Sequence, residues 1–223
     1  MSLFVIPHLG LGDLVILRGA LKSLVLREGS FSVLCYPRNA ESARWLMLDA
    51  PSIRFQFTED ENVSAARLKE EGANILYVGR LRGDFDMISG RFDEVFYKQL
   101  GVSFENRWCG LHSIGSSPLE SAVTRQCSLP VPYAFVHDRK AYPIDETKVG
   151  LPIVRSSELT HCIFDWLGVI RGAAEIHCID SSFLNLVESM SEDGKPLFWH
   201  LYAQRQPESR FHPTVRRPWR VLE

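Results

Sequence analysis

The feature that most constrains this chain is an alternation of short apolar runs with helical stretches. It begins at the first residues and begins again near residue 133. Leu3 to Ile6 is an unbroken apolar run, the pattern of a strand covered on both faces. Gly10-Leu11-Gly12 makes a turn, and Leu14, Leu17, Leu21 and Leu24 then recur at helical spacing until Gly29. Phe31 to Tyr36, Ile53 to Phe57 and Ile75 to Val78 read as further strands. Between them lie a helix that Asn39 can cap, running to about Leu48, and a short helix ended by Gly72. The second round has strands at Tyr133 to Val136, Gly150 to Val154, Glu175 to Ile179 and, last, Lys195 to His200. Its helices are expected at Leu159 to Gly172 and Phe183 to Met190. Such alternation predicts parallel sheets covered by helices, and its restart predicts two of them: an α/β chain of two small Rossmann-like domains.

Between the rounds, Arg80 to Gly90 reads as a loop and Phe92 to Leu100 as a helix, while Arg107 to Pro132 has few periodic features. The boundary is expected there, giving an N-terminal domain over 1–125 and a C-terminal domain over 126–223. The latter ends in a tail from Arg205 with a net charge of +3.

Composition removes several classes of protein. With 45% hydrophobic and 23% charged residues, the chain is not mainly disordered. A net charge of -2 excludes a uniformly basic nucleic-acid coat. No run approaches the ~20 apolar residues that span a bilayer. The N-terminus lacks a basic segment and is broken by Pro7 and His8, so it reads as a strand and not a signal peptide. The 5 cysteines are odd in number and form no C-x-x-C. Neither a disulfide framework nor a zinc cluster is expected, and the expected setting is a reducing, cytoplasmic one.

Four places carry candidate chemistry. The first is Pro7-His8-Leu9-Gly10-Leu11-Gly12-Asp13, a strand–turn–helix junction at the sheet edge where open α/β sheets bind ligands. It is not a dinucleotide fingerprint: Val15 stands where the third glycine would be, and Asp13 opposes a pyrophosphate. An acid there suits a general base, or else a helix cap; His8 lines the same edge. The second is His177 followed by Asp180-Ser181-Ser182, a strand end and helix start that can hold a phosphate or simply cap the helix. The third is His137-Asp138-Arg139-Lys140, whose cations can neutralise a diphosphate; no metal-ligand spacing accompanies it, so no bound metal is expected. The fourth is the tail, with Arg205, Arg210, Arg216, Arg217 and Arg220 interleaved with Tyr202, Phe211 and Trp219. That mixture can engage phosphates and bases, or form a charged face; Trp219, Val221 and Leu222 point to a docked tail.

On two of these places, "IPHLGLGDLVILRGALKSL" and "AEIHCIDSSFLNLVE", the chain resembles a compact glycosyltransferase of the GT-B superfamily, of heptosyltransferase-like type. The resemblance implies two Rossmann-like domains facing across a cleft. It implies a nucleotide-sugar donor on the C-terminal domain, an acceptor on the N-terminal one, and transfer without a metal or other cofactor. Asp13 would be the base with His8 beside it, and Gly10, Gly12 and Arg18 would contact the acceptor. His137, Arg139, Lys140, Ser156, His177, Asp180, Ser181 and Ser182 would contact the donor, and Glu188 is a candidate for the ribose hydroxyls. A saccharide acceptor is expected, with a hydroxymethylated pyrimidine in DNA as the alternative that the tail and Arg80, Arg82 and Arg91 leave open. A nucleotide-sugar epimerase or hydrolase, or a non-catalytic nucleotide-binding module, would use the same fold.

Overall fold

The computed structural model describes residues 2–8, 10–79, 91–109, 117–127, 129–157, 159–191, 194–203 and 212–223. The chain forms two compact units, Met1–Ile114 and Gly115–Glu223.

In the first unit, strands β1 (Leu3–Ile6), β2 (Phe31–Cys35), β3 (Ile53–Phe57) and β4 (Asn74–Tyr77) run parallel in the order β3-β2-β1-β4. Helix α1 (Leu11–Glu28) buries Leu14, Leu17, Leu21 and Leu24, the stripe that its sequence spacing predicts. Each such side chain contributes roughly 1.5–3 kcal/mol by leaving water. Helix α2 (Ala40–Leu46) follows β2, and Asn39 takes the cap position without a side-chain cap. Helix α3 (Glu61–Glu70) is capped by Asp60, which accepts from the backbone N–H groups of Asn62 and Val63. Its Ala65 and Leu68 pack on Ile6 and Leu34 of the sheet. Helix α4 (Phe92–Leu100) is tied to α1 by the Tyr97 hydroxyl, which donates to the Ile16 carbonyl at 2.7 Å. A buried Arg107–Asp93 ion pair joins it to the 3-10 turn Phe104–Trp108.

The second unit contains α5 (Glu120–Gln126), β5 (Ala134–His137), β6 (Ile153–Arg155), α6 (Leu167–Gly172), β7 (Glu175–Cys178), α7 (Ser182–Glu188), β8 (Leu197–His200) and β9 (Trp219–Leu222). Its strands are parallel in the order β6-β5-β7-β8-β9. On one face Phe135 packs against Trp166 and Phe183, with ring centroids 6.3 and 5.7 Å away. On the other, Ala134, Val136 and Ile179 are covered by Ile144 and Ala203. Ile144 belongs to the connection 138–152, which has a 3-10 turn at Glu146–Lys148 but no α-helix. A loop therefore does the covering that a crossover helix usually does.

Three expectations change. The division falls at 114/115 and not near 125, because α5 packs against α6 and the preceding 3-10 turn and its Glu120 pairs with Arg171 at 3.0 Å. The stretch expected as one helix from Leu159 to Gly172 is the 3-10 turn Ile163–Trp166 followed by α6. There the hydroxyls of Ser117 and Thr160 both donate to buried Asp165, and Thr160 also accepts from the Cys162 N–H. These side-chain bonds compete with a regular helix start. Lys195 to His200 is not the last strand: the tail adds β9 alongside β8. Among the described residues, no helix is long and apolar enough to cross a membrane.

Candidate functional site

In each sheet the strand order reverses once, and ligands of parallel α/β sheets bind at such reversals. In the first unit the reversal lies between β1 and β4. The loops after these strands meet there: a Cβ on Gly79 would stand 3.3 Å from the Cβ of His8. Gly10 is the N-cap of α1, and Asp13 sits in the first helical turn. The Asp13 carboxylate folds back over Gly10, so a Cβ on that glycine would stand 2.6 Å from Oδ2. Burial pushes the Asp13 carboxyl up to about 6, and the neighbouring His8 charge opposes that rise only partly. His8 itself is exposed and its carbonyl accepts from the Gly10 N–H at 2.7 Å. Gly12 lies within the first turn. A carboxyl that titrates near 6 can take up and release a proton close to neutral pH.

Arg18 is not at this edge. It is 2% exposed in the body of α1 and pairs with Asp49 at 2.9 Å, which Lys22 also engages at 2.8 Å. These two cations hold the Asp49 carboxyl well below its ordinary range. Arg18 is thus a buried ion-pair residue in the body of the helix.

In the second unit the reversal lies between β5 and β7. His137 ends β5, Ser156 follows β6, and Asp180, Ser181 and Ser182 follow β7. These residues converge. Nδ1 of His137 lies 2.6 Å from Oγ of Ser156, and its ring stacks on Phe183 with centroids 4.2 Å apart. The Ile179 N–H donates to the His137 carbonyl, which ties the two strand ends together. Burial, helped by the Arg139 charge, lowers His137 to about 4. The imidazole is therefore neutral at pH 7, with one nitrogen engaged by Ser156 and the other available to a ligand. Arg139 and Lys140 are exposed in the loop that follows. Ser182 and Asp180 are half-buried. Ser181 is buried and acts as the N-cap of α7, accepting from the Leu184 N–H at 3.4 Å. Its hydroxyl is thus spent on the helix.

Three other expectations fail for the same reason: the side chain has a buried partner. His177 is in mid-strand, 1% exposed, between Glu175 and His200 and stacked on Phe198. It does not face the strand ends. Glu188 is buried and accepts from the backbone N–H groups of Arg216 and Arg217 and from Trp219 Nε1. It holds the tail, and both its carboxylate oxygens are engaged there. In that tail Trp219 and Arg217 are buried, and Arg217 donates to the Val187 carbonyl at 2.7 Å, so neither is open to nucleic acid. Arg91 caps α4. Arg80, Arg82, Arg205, Arg210 and Phe211 lie outside the described residues.

The sequence reading missed Asp138, Tyr202 and His200 as organisers of this edge. Asp138 accepts from the Ile144 N–H at 3.0 Å and from Arg155. The Asp138-Arg139-Lys140 succession was visible, but the return contact from Ile144 was not. Among the described residues, no three His, Cys, Asp or Glu side chains are grouped as metal ligands would be.

The fold is similar to that of several solved sugar-transferring enzymes. The chain superposes over 100% of its length on 90% of an Escherichia coli ADP-heptose LPS heptosyltransferase II, with a TM-score of 0.61 and 12% identity. It is equally similar to a family 9 glycosyl transferase from Veillonella parvula, covering 99% of this chain and 86% of that one, with a TM-score of 0.60 and 12% identity. The iron-containing dodecameric glycosyltransferase TibC of enterotoxigenic Escherichia coli matches 92% of this chain but only 60% of its own, with a TM-score of 0.58 and 12% identity. No family model matches the sequence, and no curated protein matches it.

Proposed function

We propose that the protein is a glycosyltransferase that moves a sugar from a nucleotide-sugar donor to an acceptor hydroxyl without a metal. One observation carries the reading: each parallel sheet presents, at its reversal point, one half of the required chemistry. The first offers an acid poised at about 6, and the second a neutral histidine, a serine and two exposed cations. The fold shared with heptosyltransferases supports it.

In this mechanism Asp13 accepts the proton of the acceptor hydroxyl as its oxygen attacks the anomeric carbon. The C–O bond to the nucleoside diphosphate breaks, and the electron pair leaves with the phosphate oxygen. General-base assistance of this kind contributes ~10²–10⁴ in rate. Arg139 and Lys140 stabilise the negative charge that develops on the leaving group, with hydrogen bonds from Ser182 and the imidazole of His137. Asp180, between β7 and α7, orients the donor. His8 tunes Asp13 by its charge. The acceptor is read as a saccharide.

The test is a panel of nucleoside diphosphates followed by turnover of the matching donor. The native protein should bind one diphosphate, and Asp13→Asn should keep that binding while losing turnover. Undiminished turnover in Asp13→Asn, or release of free sugar as the sole product, would remove the assignment.

A further inference from the structure

The second unit contains a polar chain, buried at its two histidines and exposed at its tyrosine end, that the proposed chemistry leaves unused. Glu175 and His177 stand two residues apart on β7, and His200 stands on neighbouring β8. Oε1 of Glu175 is 3.2 Å from Nε2 of His177. Nδ1 of His177 is 2.9 Å from Nε2 of His200, and Nδ1 of His200 is 2.9 Å from the Tyr202 hydroxyl. That hydroxyl accepts from the backbone N–H of Asp145 at 2.9 Å. Both imidazoles are inaccessible to solvent, and His177 lies flat on Phe198, with 10° between ring planes.

The chain has a single direction. A neutral imidazole carries one N–H, and the charge of the Glu175 carboxylate, 3.2 Å away though not in hydrogen-bond geometry, favours that proton on Nε2 of His177. Nδ1 of His177 must then accept, so His200 donates from Nε2. Nδ1 of His200 accepts in turn, so the Tyr202 O–H donates to it. The oxygen of Tyr202 is left with lone pairs, and the Asp145 N–H takes one. The groups facing His200 are His177, Lys148, Asp138 and Asp145, and burial together with the Lys148 charge keeps its ring uncharged.

This chain ends on a loop that matters. Asp138 anchors the loop at one end through the Ile144 N–H, and Asp145 starts the 3-10 turn at the other. Arg155 bridges Asp138 and Glu146, and Lys148 lies over the Tyr202 ring at 4.3 Å. Between the anchors stand Arg139 and Lys140. We propose that Tyr202, set by the His200–His177–Glu175 chain, is a positioning residue that fixes the Asp138–Lys148 loop and so places Arg139 and Lys140 against a diphosphate. The inference rests on the donor reading above.

Tyr202→Phe tests it, because it removes one hydroxyl and keeps the ring under Lys148. Binding of ADP, GDP, UDP and CDP is measured by calorimetry on the full chain. The diphosphate that binds the native protein should bind Tyr202→Phe about three- to tenfold more weakly, the loss expected for one hydrogen bond. Melting temperature should stay close to native. Trp219→Phe, which weakens a tail contact on the same sheet, should lower the melting temperature and leave affinity alone. Long-range proton–nitrogen spectra should show both His177 and His200 protonated at Nε2 only. Native affinity in Tyr202→Phe, or a proton on Nδ1 of His200, would overturn the positioning role and leave the donor reading standing. Failure of the native protein to bind any of the four diphosphates would overturn both.

Discussion

Oδ2 of Asp13 occupies the space that a side chain on Gly10 would need, with only 2.6 Å between it and a Cβ built there. The Gly10 backbone, at φ -68° and ψ 140°, is open to any residue, so the conflict is with the carboxylate alone. Gly10→Ala should fold normally and displace Asp13 toward water. The acidic limb of the kcat/KM profile should then move down from about 6 toward the ordinary carboxylate range, and neutral turnover should fall about tenfold or more. An unmoved limb would mean that Asp13 does not govern the rate.

Asp13→Asn should separate stability from activity. The folded chain binds the Asp13 proton more tightly than the unfolded chain does, so stability is lost as pH rises from about 3.8 to about 6 and stays lost above. Asparagine removes that penalty. At pH 8 the variant should be more stable by about 1–2 kcal/mol, allowing for the incomplete burial of the side chain, and at pH 3 no different. Urea titrations at the two pH values measure this. Equal stability at both would show that the carboxyl is not held up by its surroundings.

Three histidines set the acid limb of stability. Burial lowers His137 and His200 to about 4 and lowers His177 as well. Each binds a proton more readily when unfolded, so the stability they contribute is full above about 6.5 and falls as pH drops toward 4. The denaturation free energy should decline between pH 6.5 and 5 with a slope exceeding one proton. His200→Gln should reduce that slope. A flat profile over this range would contradict the buried, neutral assignment.

Glu188 should be among the costlier single losses in the second unit. It is 4% exposed and receives three donors: Arg216 N–H at 2.6 Å, Arg217 N–H at 3.3 Å and Trp219 Nε1 at 2.8 Å. Glu188→Ala would leave these donors unmatched, at a cost of roughly 2–4 kcal/mol. The check is chemical denaturation together with the emission maximum of Trp219 followed in a background lacking the other tryptophans. Glu188→Gln, which keeps an acceptor, should lose about half as much.

The sequence made some of this legible and concealed the rest for physical reasons. Strand β1, its turn and α1 were readable because the apolar period and the glycines act locally. Arg18 carries a signal of burial in its spacing: it stands four residues after Leu14 and three before Leu21, on the buried stripe. Its partner Asp49 is 31 residues away, so the pairing itself could not be read. His177 was misplaced because a strand's two faces are equivalent in sequence until something is known to cover them. Here the cover is Ile144 and its loop, which carries no helical period. Helix α5 escaped because its 7 residues bury only Glu120 and Val123, too few to mark a stripe. The tail was legible as docked through its apolar residues, but not as a parallel strand, since pairing is set by a neighbour outside the segment.

The loop over the second sheet has a consequence for how such a protein can change. Ile144 seals the interior, and a few residues earlier Arg139 and Lys140 meet the solvent. In most folds of this kind a helix does the sealing, and the neighbouring loop varies independently. Here one segment answers to both demands. A substitution that retunes its ligand is also tested for what it does to the interior, so new specificities must arise through the few exposed positions between the anchors. Grafting the loop as a unit would transplant a piece of the core with it.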